Sequence, residues 1–358
     1  MSINHSALKS FIVEVFLCKQ FSHEHAEIAA NVLLEADLTG IDSHGIARLS
    51  GYLRLIDSGR INVKPNFALH VRKKTTGRFD ADGGIGLVSA QIAMGHTIEM
   101  CHEYGSGWLA IFNSSHYGVG AAHSSLALQH NYIGLSMTNA TPLVTPALGK
   151  ERMLGTNPLC ISIPGKSGQS FVIDMATSAA ANGKLEIAQR EGKSIPDGWL
   201  ISANGETSNN PNDLKEGGFL LPLGSNSDRG YHKGYALGSW VDIFSGVLSG
   251  ANFGPWVPPF VQFLNPQNEQ VGKGIGHFIG CWDMDGFSEL NASQNALEIW
   301  MNRFKSTIAI DPKNPVMIPG EIEKLTKENR LIYGIPLNDI VIQDIETIAK
   351  SLQLKSPF

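Results

Sequence analysis

His44, Arg48 and Tyr52 recur every four residues in the stretch Asp42-Ser43-His44-Gly45-Ile46-Ala47-Arg48-Leu49-Ser50-Gly51-Tyr52. On a helix that starts at Ser43, all three side chains project from one face. An imidazole exchanges a proton near neutral pH, a guanidinium grips a planar carboxylate through two parallel hydrogen bonds, and a phenol adds a further donor. Together they suit an enzyme acting on a small 2-oxo or 2-hydroxy acid. A solvated helix face can carry the same residues with no chemistry at all, so spacing alone leaves both readings open.

The elements that must hold this stretch are helical on both sides of it in the chain. Asn4 or Ser2 caps a helix with Leu8, Phe11, Ile12, Val15 and Phe16 on one stripe, and Ser22 caps a second carrying Ala26, Ala29, Ala30, Leu33 and Leu34, which Gly40 ends. His23 and His25 lie two apart on that helix and point in different directions, so they read as surface residues rather than metal ligands. The third helix, with His44, Arg48 and Tyr52, stops near Gly59.

From Asn62 the pattern becomes mixed. Phe67 to Val71 alternates as a strand, Leu87 to Tyr104 reads as a helix, Gly107 to Phe112 as a buried strand, and Gly120 to His130 as a helix. Ile133 to Thr138, Cys160 to Ile163 and Phe171 to Met175 read as strands, and Ser178 to Arg190 and Tyr235 to Leu248 as helices, the latter burying Leu237, Val241, Phe244 and Leu248. Beyond Phe287 helices return: Leu297, Trp300, Met301 and Phe304 form a stripe, Pro319-Gly320-Glu321 opens a charged helix, and Asn338 caps the last one. The expected class is α/β or α+β, with 1–75 and 288–358 packing together as a helical domain and 76–287 inserted as the central one.

A chain of 358 residues suffices for two domains, and its 42% apolar and 17% charged residues are ordinary for a globular protein. The net charge of −5 and the lack of any basic cluster larger than Arg72-Lys73-Lys74 argue against nucleic acid as a partner. Apolar runs are too short to span a bilayer and no secretion signal is visible, which gives a cytoplasmic expectation and no membrane partner. Cys18, Cys101, Cys160 and Cys281 are scattered, so reduced and mostly buried thiols are expected, and no metal site.

A conventional dinucleotide fingerprint fails here. Gly118-Val119-Gly120-Ala121-Ala122-His123 follows a strand and opens a helix, but His123 stands where close helix-to-strand contact demands a tiny residue, and no Asp or Glu occurs between Tyr117 and Glu151 to hold a ribose hydroxyl. Gly84-Ile85-Gly86-Leu87-Val88-Ser89 follows an acidic turn instead of a buried strand. No phosphate loop, Gly-x-Ser-x-Gly elbow or His-Glu-x-x-His pair occurs either.

Seven ordered motifs nevertheless resemble one family. Ser43-His44-Gly45 with Arg48 and Tyr52, Asn113 to Gly118, Leu154-Gly155-Thr156-Asn157-Pro158, Asp174-Met175-Ala176-Thr177-Ser178, Ile195-Pro196-Asp197-Gly198-Trp199, Lys233-Gly234-Tyr235 and Pro319-Gly320-Glu321 look like the type 2 malate/L-lactate dehydrogenases. That group includes ureidoglycolate dehydrogenase, 2,3-diketogulonate reductase and the reductase of cyclic imino acids. The resemblance implies a non-Rossmann fold in which a central domain with a mixed, largely antiparallel sheet binds NAD or NADP. It implies an oxidoreductase moving a hydride between that cofactor and a small 2-oxo or 2-hydroxy acid. Carried over residue by residue, it makes His44, backed by Ser43, and His116 the acid/base candidates, and Arg48 with Tyr52 the substrate contacts. It places the cofactor against Ala140, Asp174, Met175, Ala176, His232, Lys233, Pro319, Gly320 and Glu321.

Two departures stand out. Asp228-Arg229-Gly230-Tyr231 replaces a glycine-richer lead into Lys233, which leaves NAD against NADP open. The aromatic, proline-rich segment Phe253 to Phe260 reads as a cover for the site or a subunit contact, and from it a homodimer is expected. A catalytically inactive ligand-binding relative and a hydrolase are the readings from other classes. Retention of Ser43, His44, Arg48 and His116 opposes the first, and missing nucleophile and metal motifs oppose the second.

Overall fold

The computed structural model describes residues 2–358, apart from the side chains of residues 167 and 190. A short strand β1 (Ser2–Ile3) leads into α1 (His5–Cys18) and α2 (His23–Leu38), and a 3-10 turn over Ile46–Arg48 runs into α3 (Leu49–Asp57). The hairpin β2 (Ala68–Lys73) and β3 (Thr76–Asp80) is followed by α4 (Gly86–Tyr104), β4 (Ser106–Ser114) and α5 (Ala121–Ser124), the last continued as a 3-10 helix to His130. Then come β5 (Tyr132–Thr138), β6 (Leu159–Pro164), β7 (Ser170–Met175) and α6 (Asn182–Arg190). Three two-residue strands, β8 (Leu200–Ile201), β9 (Thr207–Ser208) and β10 (Phe219–Leu220), precede α7 (Tyr231–Asp242) and β11 (Ile275–Asp283). The chain closes with α8 (Leu290–Lys305), α9 (Glu321–Tyr333), β12 (Ile335–Pro336) and α10 (Asp339–Leu352).

Among the described residues the main sheet has seven strands in the order β2-β3-β4-β11-β5-β6-β7, and only β3 and β4 run parallel. That parallel pair is joined by α4, which lies on β4 and β11 and ends at Gly105 in the left-handed conformation. The sheet is therefore mixed and largely antiparallel. One apolar cluster gathers Leu8, Phe11, Phe16, Leu33, Leu49 and Tyr52 from the beginning of the chain with Ile335, Val341 and Ile345 from its end. Pairing of β1 with β12 ties the two ends together. Asn4, Ser22 and Asn338 cap their helices by accepting backbone N–H bonds, as their side chains suggested.

Several expectations need correction. No helix starts at Ser43: Ser43 and His44 lie in a turn, and helical backbone begins only at Ile46. The cause is Asp37, fully buried on α2, whose carboxylate accepts the Ile46 N–H at 2.7 Å and lies against Gly45. A Cβ at Gly45 would stand 1.9 Å from Asp37 Oδ1, so only glycine lets the two segments approach this closely. The helix from Tyr235 begins earlier, at Tyr231, and gives way to a π-turn over Ile243–Val247, which leaves Leu248 52% exposed rather than buried. The helix expected from Ser178 starts at Asn182.

Strands β3 and β11 escaped the sequence reading. Strand β11 is the middle of the sheet, and its glycines disguise it: a Cβ at Gly280 would lie 2.2 Å from the Trp108 ring on β4, which packs across the strand. The segment Phe253 to Phe260 is packed on its own chain. Val257 and Phe260 are buried, the Phe260 ring lies 4.7 Å from that of His116, and its carbonyl accepts from Arg54.

Candidate active site

His44 and His116 meet although they come from different elements. Their rings stack with centroids 5.8 Å apart and planes at 23°. The turn before the 3-10 helix carries His44, and the chain leaving β4 carries His116. Tyr52, one turn into α3 and fully buried, places its hydroxyl 2.6 Å from His116 Nδ1. The Gly118 N–H donates to the same nitrogen at 3.3 Å. Two donors aimed at Nδ1 require a lone pair there, so the neutral ring carries its proton on Nε2 and the Tyr52 hydroxyl donates. Tyr52 thus acts on His116 and has no hydroxyl hydrogen left for a ligand. His44 Nδ1 lies 2.9 Å from Ser43 Oγ, a neighbour that orients the ring.

Burial dominates the protonation of both rings. It pushes His44 down to about 4, with the Arg48 charge adding to the effect. It also pushes His116 well below the usual imidazole range, helped by His44 and Arg48. Both histidines are therefore neutral at pH 7 in the ligand-free protein. A bound anion would add negative charge near His44 and raise it again.

Beside His44 opens a cleft of about 530 Å³, bordered by Ser43, Gly118, Val119, Gly120, Thr156, Pro158, Asp174, Met175 and Ala176. Apolar walls with a few polar groups, at this size, fit the nicotinamide half of a dinucleotide. Asp174, next to last on β7, accepts the Ala121 N–H at 2.7 Å, and burial lifts its pKa to about 6. Asp174, Met175 and Ala176 are thus brought to His44 as the sequence suggested.

The remaining cofactor candidates are not on that wall. Ala140 donates its N–H to Asn157 Oδ1 at 3.1 Å behind it. His232 and Lys233 are exposed at the start of α7. Pro319 accepts from the Val172 N–H at 3.2 Å, Gly320 packs on Val172, and Glu321 pairs with Lys305. Among the lining residues not named as site residues are two charged ones, Lys184 and Glu323. Glu323 lies in the first turn of the helix that Pro319-Gly320-Glu321 announces, and it was within reach of the sequence; Lys184 gave no local signal. Also missed was Glu186, whose carboxylate faces Arg48 with Oε2 3.1 Å from Nη2.

A mixed, largely antiparallel sheet with a single parallel pair, and a half-apolar cleft beside two stacked histidines, set this protein apart from the doubly wound nucleotide-binding folds. A family model described as malate/L-lactate dehydrogenase matches residues 3–346, and the chain belongs to that family, oxidoreductases of small hydroxy acids for which a nicotinamide cofactor is implied. A malate dehydrogenase of Pyrococcus abyssi is 38% identical, over 97% of this chain and 94% of its own. A malate/(S)-sulfolactate dehydrogenase of Methanothermus fervidus is 32% identical, over 99% of both. The crystal structure of malate dehydrogenase from Entamoeba histolytica superposes with a TM-score of 0.93 at 30% identity, covering 100% of this chain and 99% of that one. Among the described residues no helix is long and apolar enough to cross a membrane.

Proposed function

We propose that the protein is an NAD(P)-dependent dehydrogenase of 2-hydroxy acids of the malate or lactate type, with His44 and His116 handling the proton and Arg48 the substrate carboxylate. The observation that carries this is that His44, which borders the cleft with Asp174, Met175 and Ala176, stacks on His116, while Arg48 is held to the carbonyl of the adjacent Ser43. The cofactor, when bound there, supplies the hydride for the 2-carbonyl carbon. The chain's part is to fix the acid and to neutralise the forming alkoxide. Arg48 sets the orientation of the substrate through its carboxylate. The His116 Nε2–H, aligned by Tyr52, donates a hydrogen bond to the substrate oxygen. His44, whose basicity rises with the negative charge the substrate adds beside it, delivers the proton, and takes it back in the oxidative direction.

Mixing the protein with NADH or NADPH, following nucleotide fluorescence, and then adding pyruvate, oxaloacetate or other 2-oxo acids tests this reading. Loss of reduced-nucleotide absorbance is expected with one cofactor and at least one acid. Nucleotide binding with no turnover on any acid would support the inactive, ligand-binding alternative. A homodimer is proposed as well, now from Ile299, Trp300 and Phe304 on α8 and Ile322 and Leu325 on α9, all exposed, instead of from the Phe253 to Phe260 segment. Sedimentation as a monomer at micromolar concentration would count against it. Site, cofactor and substrate call for no membrane or nucleic acid, in keeping with a cytoplasmic enzyme.

A further inference from the structure

The fork of Arg48 is already engaged. Its Nε donates to the Ser43 carbonyl at 2.5 Å, and Nη1 and Nη2 face Oε1 and Oε2 of Glu186 at 3.4 and 3.1 Å. Glu186 sits on α6, where Asn182 Nδ2, one turn earlier, donates to Oε1 at 2.8 Å and holds the carboxylate in place. A guanidinium offers its five N–H groups in one plane. With Nε on a carbonyl and the outer edge on Glu186, no edge remains on which a second carboxylate can take two parallel bonds.

The ion pair is also a wall. Arg48 and Glu186, with Ala47, border both a cavity of about 650 Å³ and a neighbouring one of about 340 Å³. Ser43 borders the smaller cavity and also the cleft that holds His44. The side chains are 15% and 27% exposed, so this pair is less screened than a surface ion pair and has weight in any exchange of partners.

We infer that Glu186 is the internal occupant of the Arg48 fork, which the substrate carboxylate must displace, and that Glu186 thereby sets the affinity for carboxylate substrates as a positioning residue. The inference rests on the proposed reading of Arg48 as the carboxylate clamp. No bond is made or broken: one carboxylate leaves the guanidinium and another takes its place. The observed affinity is the intrinsic one lowered by the fraction of molecules in which Glu186 holds the fork.

The test is Glu186→Gln in the full chain, which keeps the size and removes the charge. Charge-assisted hydrogen bonds are roughly twice as strong as neutral ones, so KM for oxaloacetate or pyruvate, whichever is turned over, falls by about fivefold to tenfold. The kcat value moves less than KM, and NADH affinity by fluorescence titration stays as it was. Glu186→Ala, the second variant should the first prove unstable, moves KM in the same direction. A KM that rises or stays constant in both variants overturns the inference, since a residue that merely orients Arg48 gives that result. Arg48→Gln separates the layers. If it raises KM while Glu186→Gln does not lower it, Arg48 remains the clamp and only this inference falls. If Arg48→Gln leaves KM unmoved, the clamp reading falls and the inference with it.

Discussion

Replacing Tyr52 by Phe isolates a single hydrogen bond in the site. The ring stays: it is fully buried and meets Phe260 edge-on at 5.2 Å, contacts that Phe keeps. What disappears is the donor 2.6 Å from His116 Nδ1. Because the Gly118 N–H still faces Nδ1 at 3.3 Å, the acceptor is not orphaned, and the loss of stability stays near 1 kcal/mol, the usual worth of one hydrogen bond. The larger effect falls on proton placement. With the stronger of two donors gone, the tautomer protonated at Nδ1 gains population and Nε2 is less often able to donate. A bias of about 1–2 kcal/mol corresponds to a fall of roughly fivefold to thirtyfold in kcat/KM. Steady-state kinetics with the best 2-oxo acid measures the fall, thermal melting checks the fold, and nitrogen NMR of the imidazole reports the tautomer. A folded Tyr52→Phe protein whose kcat/KM stays within about twofold of the parent would refute the claim that Tyr52 fixes the His116 proton.

Arg48→Lys keeps the charge and loses the planar fork, so catalytic efficiency falls by about tenfold to a thousandfold; unchanged efficiency on every acid tried removes Arg48 from the site. His44→Ala retains cofactor binding while turnover drops by about a hundredfold or more, and near-equal loss in His116→Ala would mean that the two act as a unit. Gly45→Ala forces a methyl into the Asp37 carboxylate and costs roughly 1–3 kcal/mol or more, read from the urea midpoint; an unshifted midpoint would show that the two segments can part freely. Affinity for a 2-oxo acid strengthens as pH falls. His44 is neutral in the free protein above about 4 and rises in the complex, and a group with the higher pKa in the complex favours binding when protonated. The gain is lost as pH climbs through the complex value, and an affinity flat with pH would contradict it.

Local chemistry was legible in the sequence where a single residue decides it. Asn4, Ser22 and Asn338 announce helix starts because each supplies its own acceptor to nearby N–H groups. The alternating and apolar runs of β4, β5, β6 and β7 announce strands in the same way. What stayed hidden depends on distant partners. The turn at Ser43 and His44 exists because Asp37 on another helix takes the Ile46 N–H. The bond between Tyr52 and His116 joins residues 64 apart, and the contact of Arg48 with Glu186 spans 138. Strand β11 was invisible for a related reason: Gly280 answers the Trp108 ring of another strand and Gly276 the Ser245 backbone, and taken alone they read as turn residues.

The position of β11 sets a constraint on how the protein is made. Strands β4 and β5 are complete by Thr138, yet the strand that hydrogen-bonds to both begins only at Ile275. During synthesis each of the two therefore waits with an unsatisfied backbone edge while residues 139–274 emerge from the ribosome. Two open edges on a nascent chain invite pairing with another polypeptide. Closing the sheet then demands a long loop and a late, non-local step. Chains released before Ile275 would carry two separate half-sheets, β2-β3-β4 and β5-β6-β7, each with an open edge where β11 belongs.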